Sequence, residues 1–173
     1  MNEVIKNIMA RRSCRSYDPA RIPSDEIIQQ ICEAGTWAPT GMGYQKPIII
    51  AVTNKELRDR ISKMNAEVMG VTSDPFYGAP AMLIVLVDDW PNAPYDGACV
   101  MQTLMLAAES LGVNTCWINR AREEFASEEG KQILKELGIE GNYVGVGHVA
   151  LGYANKPIPA PKPRKEDYIR WVK

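Results

Sequence analysis

The chain has 173 residues, 46% of them apolar and 24% charged, with a net charge of −1. That balance suits one globular domain spanning residues 1–173, long enough to bury a core, and lacks the global basic field of a nucleic-acid binder. The longest apolar run, Ala79–Val87, is too short to cross a bilayer, and Met1-Asn2-Glu3-Val4 lacks the layout of a signal peptide, so no membrane association and a cytoplasmic location are expected.

Asn2 to Arg12 reads as a helix, with Val4, Ile5, Ile8 and Met9 at helical spacing. It runs into Arg11-Arg12-Ser13-Cys14-Arg15-Ser16-Tyr17. Three arginines and two serines in seven residues fit two readings: a solvated charge run that complements a helix end, or a cradle for an anion. Ser24 caps a second helix, which stops near Trp37-Ala38-Pro39 because the residue before proline is pushed out of helical geometry. Pro39 to Pro47 is a loop with two glycines and two prolines. Ile48–Val52 is a short buried strand, and Asn54 caps a third helix to about Asn65.

Residues 70–78 read as irregular, and Ala81–Val87 as a strand covered on both faces. Asp89–Pro94 turns the chain into a helix over Asp96–Leu111, apolar nearly all round and so central, with Gly112 at its end. Thr115–Asn119 is a strand. Ser127 caps a helix to Leu137, and Tyr143–Leu151 is the last inner strand. Four prolines between Ala154 and Arg164 exclude helix and inner sheet there, and Asp167–Val172 reads as a short strand or arm. The fold class is α/β in the broad sense: one sheet between helices, with too few strands for a doubly wound nucleotide fold.

Gly145-Val-Gly147-His-Val-Ala150 has the form GxGxxA, but it lies inside a strand instead of opening a helix. Its glycines are read as permitting close backbone approach. His148, the only histidine, is read as a core or edge residue. The four cysteines (Cys14, Cys32, Cys99, Cys116) have no CxxC spacing and are read as reduced thiols, with no metal site. No hydrolase triad, P-loop, HExxH or carboxylate pair is present, which points to a cofactor as the source of the chemistry. A second basic cluster, Lys162-Pro163-Arg164-Lys165, lies in the proline-stiffened tail, where a pre-set backbone loses little entropy on holding a phosphate.

Together these segments resemble the nitroreductase family of FMN-dependent oxidoreductases. Arg11–Tyr17 looks like the family's RRSxRxF/Y motif, and Trp37-Ala38-Pro39-Thr40-Gly41 through Gln45 like its WAPS…NxQPW loop. Leu106–Gly112 through Cys116-Trp117-Ile118 looks like LLLAAxxLGLGTCWI, and Gly152-Tyr153 with Pro161–Lys165 like GYP…PKPRK. The resemblance implies a three-layer α+β fold with a central, mostly antiparallel sheet. It implies a homodimer that exchanges C-terminal arms and holds FMN at the subunit interface. NAD(P)H would deliver hydride through the flavin, in ping-pong fashion, to a small electron-poor acceptor such as a nitroaromatic or quinone.

By the same resemblance, Arg11, Arg12 and Ser13 would bind FMN through its phosphate and ribityl chain, and Arg15 would lie by the flavin's pyrimidine edge and favour its reduced, anionic form. Lys162 and Arg164 would close on the phosphate. Pro39, Thr40, Gly41 and Gly43 would come from the partner subunit, with Gln45 as the loop glutamine. Asn119 and Arg120 follow the strand whose end approaches the flavin. No side chain is expected to be catalytic in its own right. The chain departs from the pattern at Lys46-Pro47, where the family has Pro-Trp, at Gly43 in place of an asparagine, and in lacking a lysine between Val71 and Gly78. The altered loop leaves room for an alternative, an FMN-binding carrier or redox sensor with little turnover. A metal or thiol protein built on the cysteines is a third reading.

Overall fold

The computed structural model describes residues Met1–Lys173. Its sheet has four strands, β1 (Pro47–Val52), β2 (Ala81–Asp88), β3 (Asn114–Ile118) and β4 (Tyr143–Gly152), in the spatial order β1-β2-β4-β3. Every neighbouring pair is antiparallel. The class is therefore α+β with an antiparallel sheet. β2 is buried along seven of its eight residues, which is why it reads as a continuous apolar run rather than an alternating one.

Helices cover both faces. Met82, Ile84 and Leu86 of β2 face a cluster that includes Ile61, Phe125 and Ile133, from α3 (Lys55–Met69), α5 (Ala121–Ala126) and α6 (Glu128–Glu136). Ala81, Leu83 and Val85 face Ile28, Ile31, Met101 and Leu104 of α2 (Asp25–Thr36) and α4 (Ala93–Ser110). α1 (Glu3–Ala10) lies outside α4, joined by a bond from Asn7 Nδ2 to the Leu106 carbonyl (2.8 Å), and none of its residues is buried. Asn2, Ser24, Asn54 and Ser127 each cap a helix through a side-chain oxygen, satisfying one of its free first-turn N–H groups. No helix is long and apolar enough to cross a membrane.

The glycines of β4 do what close packing requires. Val85 pairs with Gly147 and Leu86 with Gly145, so Val146 is the extra residue of a β-bulge. A Cβ at Gly145 would lie 2.1 Å from the Ala121 carbonyl oxygen, and one at Gly147 would lie 2.9 Å from both Met101 Cε and Trp117 Nε1. Val146 in turn fills the notch left by Gly97 in α4. His148 is fully buried, with Nε2 2.5 Å from Glu124 Oε2, as expected of a core histidine.

Several boundaries differ from the sequence reading. α1 ends at Ala10, so Arg11 and Arg12 lie beyond it. α3 continues to Met69 because Ala66-Glu67-Val68-Met69 contains no breaker, and Gly70 stops it at φ +67°. α4 begins at Ala93, with Pro94 inside its first turn, where a missing N–H costs nothing. α5 has no side-chain cap to announce it. Asp167–Val172 is not a strand: a 3₁₀ turn at Glu166–Tyr168 is followed by exposed, irregular chain that pairs with neither sheet edge.

The irregular segment 70–79 is held by one carboxylate. Burial would raise the pKa of Asp74, but hydrogen bonds from Arg58, Ser62 and the Phe76 and Gly78 amides outweigh it and hold the carboxyl below its usual range. A depressed folded-state pKa means the contribution is present above the ordinary Asp value of about 3.9 and is lost as pH falls through the lower folded value. Asp74→Asn is expected to lower stability at neutral pH by about 1–3 kcal/mol and to flatten part of the acid-side decline, read by urea unfolding across that range. Gly145→Ala is expected to cost about 1–3 kcal/mol or more, seen as a lower urea midpoint, because the Ala121 carbonyl is backbone and cannot swing aside.

Candidate functional site

The arginine-rich segment is strapped along the edge of the sheet. Ser13 forms a parallel bridge with Thr115 of β3, and the Cys14 amide donates to the Thr115 carbonyl (2.8 Å). Cys14 and Tyr17 turn inward and are buried, Tyr17 with its hydroxyl on the Ala150 carbonyl (3.2 Å). Arg15 is exposed, and Arg11, Arg12, Ser13 and Ser16 are half-buried. The tail returns over them through the Asn155 amide, which donates to the Ser16 carbonyl (2.9 Å). Ser13, Cys14, Arg15 and Ser16 thus line a cavity of 260 Å³ with Lys156, Pro157, Ile158 and Pro159. Burial pushes the Cys116 thiol up, opposed by the charge of Arg15, a hydrogen bond with Ser13 and the charge of Arg11.

Arg12 serves two readings at once. Its Nη1 donates to the carbonyls of Met9 (2.6 Å), Ala10 (3.1 Å) and Arg11 (2.8 Å), closing the end of α1. No carboxylate lies within ion-pair distance of Arg11, Arg12, Arg15, Lys156, Lys162 or Arg164, although the protein pairs many of its other cations. Of these, Arg15 and Lys156 line the cavity, and unneutralised cations there fit a phosphate-bearing ligand such as FMN. Lys162 and Arg164 remain exposed, with Arg164 Nη1 on the Lys162 carbonyl (3.3 Å), and they do not line that cavity. Lys156 does line it and was missed; only its place just ahead of the prolines could have marked it.

The loop from Pro39 to Gln45 forms a second group. Met42, Gly43 and Gln45 have φ of +55°, +67° and +50°. Gly41 N–H donates to Asp96 Oδ1 (2.8 Å), and Gln45 N–H to Thr40 Oγ1 (3.1 Å). A Cβ at Gly41 would lie 2.5 Å from the Trp90 ring. Thr40 and Gln45 line a 310 Å³ cavity with Gln29, Cys32 and Glu33, where burial and Glu33 push the Cys32 thiol up to about 11. Lys46 pairs with Asp88 (2.5 Å) and lies 5.8 Å from the Trp90 ring centre, so Trp90 supplies from another segment an aromatic support for this loop. Within the one chain, this cavity and the arginine cavity share no residue.

Asn119 and Arg120 form a third group, the turn from β3 into α5. The Asn119 carbonyl accepts from Asn65 Nδ2 (2.7 Å) and its Oδ1 accepts from Trp117 Nε1 (2.8 Å). Arg120 has φ +84°, a strained value for a side-chain-bearing residue, and its Nη1 donates to Glu123 (3.0 Å). Asn65 and Asp96, which hold these turns from below, were not picked out from the sequence.

The nitroreductase family profile matches residues 8–75 and 68–153. The chain belongs to the nitroreductase family. It is 38% identical to an FMN reductase [NAD(P)H] from Bacillus subtilis, over 91% of this chain and 70% of that protein. It superposes on a nitroreductase with bound FMN from Bacteroides fragilis at TM-score 0.88 with 34% identity, covering 100% of both chains. A nitroreductase with bound FMN from Desulfitobacterium hafniense gives 0.89 and 34%, again over 100% of each. In this family member the capping by Arg12 separates it from Arg11: Arg12→Ala should lower stability by about 1 kcal/mol, while Arg11→Ala leaves it unchanged, both read by urea unfolding of flavin-free protein.

Proposed function

We propose that the protein is an FMN-dependent NAD(P)H oxidoreductase that reduces a small, flat, electron-poor acceptor, such as a nitroaromatic or quinone, in ping-pong fashion. The carrying observation is that Arg15 and Lys156, two cations without carboxylate partners, line the Ser13–Ser16 cavity, with Arg11 and Arg12 just ahead of it in the chain. FMN, when bound, supplies the hydride relay between donor and acceptor. Arg11, Arg12 and Ser13 anchor its phosphate and ribityl chain, with Lys162 and Arg164 closing from the tail. Arg15, exposed and unpaired, holds positive charge at the edge where negative charge gathers on reduction. No protein base is required. His148, the only imidazole, is fully enclosed and paired with Glu124.

The site is completed by a second copy of the chain. Val4, Ile5, Ile8 and Met9 make an exposed apolar face on α1, and Ile169, Trp171 and Val172 an exposed apolar tail. A homodimer that buries the one and exchanges the other brings Pro39, Thr40, Gly41 and Gly43 from the partner subunit to the flavin. On this reading Gln45, Asn119 and Arg120 complete the surroundings of the flavin.

The purified protein is expected to be yellow and to bleach on anaerobic addition of NAD(P)H; a colourless protein that takes up no FMN refutes the reading. Arg11→Ala should weaken FMN binding by about 1.5–3 kcal/mol, roughly ten- to hundred-fold, measured by fluorescence titration. A carrier or sensor would also be yellow, and turnover at or above about 1 s⁻¹ with small acceptors separates the enzyme from it.

A further inference from the structure

Five buried side-chain atoms in the whole chain lack a hydrogen-bond partner: Asn65 Oδ1, Trp90 Nε1, Asp96 Oδ2, Glu124 Oε1 and His148 Nδ1. Their distribution is not scattered. Asp96 and Trp90 lie beneath the Gly41 loop. Asn65, Glu124 and His148 lie behind the Asn119–Arg120 turn, with Asn65 bonded to the Asn119 carbonyl. Unpaired buried polar atoms each cost free energy and call for an explanation.

Stability does not explain the His148–Glu124 pair. Both side chains are enclosed, the histidine against the rings of Phe76 (5.3 Å between centroids) and Phe125 (6.2 Å). Apolar side chains of similar volume commonly do as well or better in such a box, whereas loss of one partner alone is strongly destabilising. What the pair does provide is a fixed direction.

α5 has six residues and no side-chain cap, so it cannot persist by its own propensity. Two contacts with β4 fix it: the notch at Gly145, which receives the Ala121 carbonyl, and the bond from His148 to Glu124. Glu124 lies one turn beyond Arg120, and its backbone N–H donates to the Arg120 carbonyl (3.0 Å). Because a peptide unit is planar, fixing that carbonyl fixes the peptide plane between Arg120 and Ala121. A continuous line therefore runs from the sheet, through His148 and Glu124, to the strained residue at φ +84°. From the other side Asn65 holds the preceding carbonyl.

We infer that the buried His148–Glu124 pair is a positioning device for the cofactor site, setting the main-chain orientation of the Asn119–Arg120 turn. This rests on the flavin reading above, since it assigns that turn to the flavin's surroundings. The pair touches neither cofactor nor substrate; it acts through Arg120.

The test uses the full chain with Glu124→Leu/His148→Phe together, and Glu124→Gln, which keeps shape and one hydrogen bond. The double variant is expected to fold with an unfolding temperature no lower than wild type. In flavin-free protein, amide exchange over residues 119–126 should speed up at least tenfold while exchange in the sheet is unchanged. FMN affinity should fall at least tenfold. The two-electron midpoint potential should move by about 30 mV for each tenfold change in the relative affinities for oxidised and reduced flavin. Glu124→Gln should show the same effects in smaller degree, and it carries the test if the double variant does not fold. Wild-type exchange at 119–126 together with wild-type affinity and potential in a folded variant overturns the inference. A wild-type protein that takes up no FMN overturns the flavin reading and the inference with it, a result distinct from a yellow wild type whose variants match it.

Discussion

Strand β4 must be approached closely from both faces, and that steric demand reaches most of the molecule. On one face Gly145 leaves room for the Ala121 carbonyl; on the other, Gly147 admits Met101 and Trp117. The bulge at Val146 reconciles the two by turning one extra residue into the gap opposite Gly97 of α4. Helices on the two sides are thereby indexed to a single strand. With β4 paired to β3 as well as β2, the edge that receives Ser13 is indexed to it too. A side chain at Gly145 would not merely crowd the core; it would lift α5 and the turn that leads into it.

The electrostatics follow a complementary division. Around α3 and α6, cations and carboxylates are matched: Arg58 with Asp74, Arg60 with Glu129 and Glu136, Lys131 with Glu128. The more exposed of these pairs, those of Arg60 and Lys131, add little to stability, but they neutralise the surface where they occur. Between Arg11 and Arg15 and at Lys156 no such neutralisation exists. With a net charge of only −1, the chain has acidic residues enough to pair these cations, so their isolation is a matter of placement rather than composition. Arg15 and Lys156 sit on a cavity edge built by backbone hydrogen bonds, which keeps them in place without a counter-ion.

Much of the frame was legible because it rests on local signals. Periodicity found the long helices, Ser24, Asn54 and Ser127 marked their starts, and the apolar run over Ala81–Val87 identified a strand covered on both faces. The glycines of β4 could be read as packing features because no helix follows them. The arginine motif could be found, but not its division of labour, since Arg12 acts on carbonyls that precede it only once α1 stops at Ala10. α5 was illegible for a related reason: its existence depends on β4, far along the chain, and not on its own caps. Asn65, Asp96 and Lys156 look like ordinary surface residues in sequence, and only the fold brings them under or beside the loops they hold.

The departures from the family pattern have a physical counterpart in the same loop. Where the pattern has Pro-Trp after the glutamine, this chain has Lys46-Pro47, and its loop takes an aromatic support from another segment. Trp90, brought in from the turn before α4, packs against Gly41 and Tyr44, and Lys46 lies over its ring while pairing with Asp88. Above this support the backbone at Met42, Gly43 and Gln45 is held in left-handed conformations. Its outer side is free of that support: Trp37 and Met42 stand almost fully exposed, 88% and 81%. A loop pinned from beneath and apolar above has a fixed backbone and an adaptable rim. On the proposed flavin reading, the supported main chain would place the cofactor, and the exposed side chains would decide which acceptors fit.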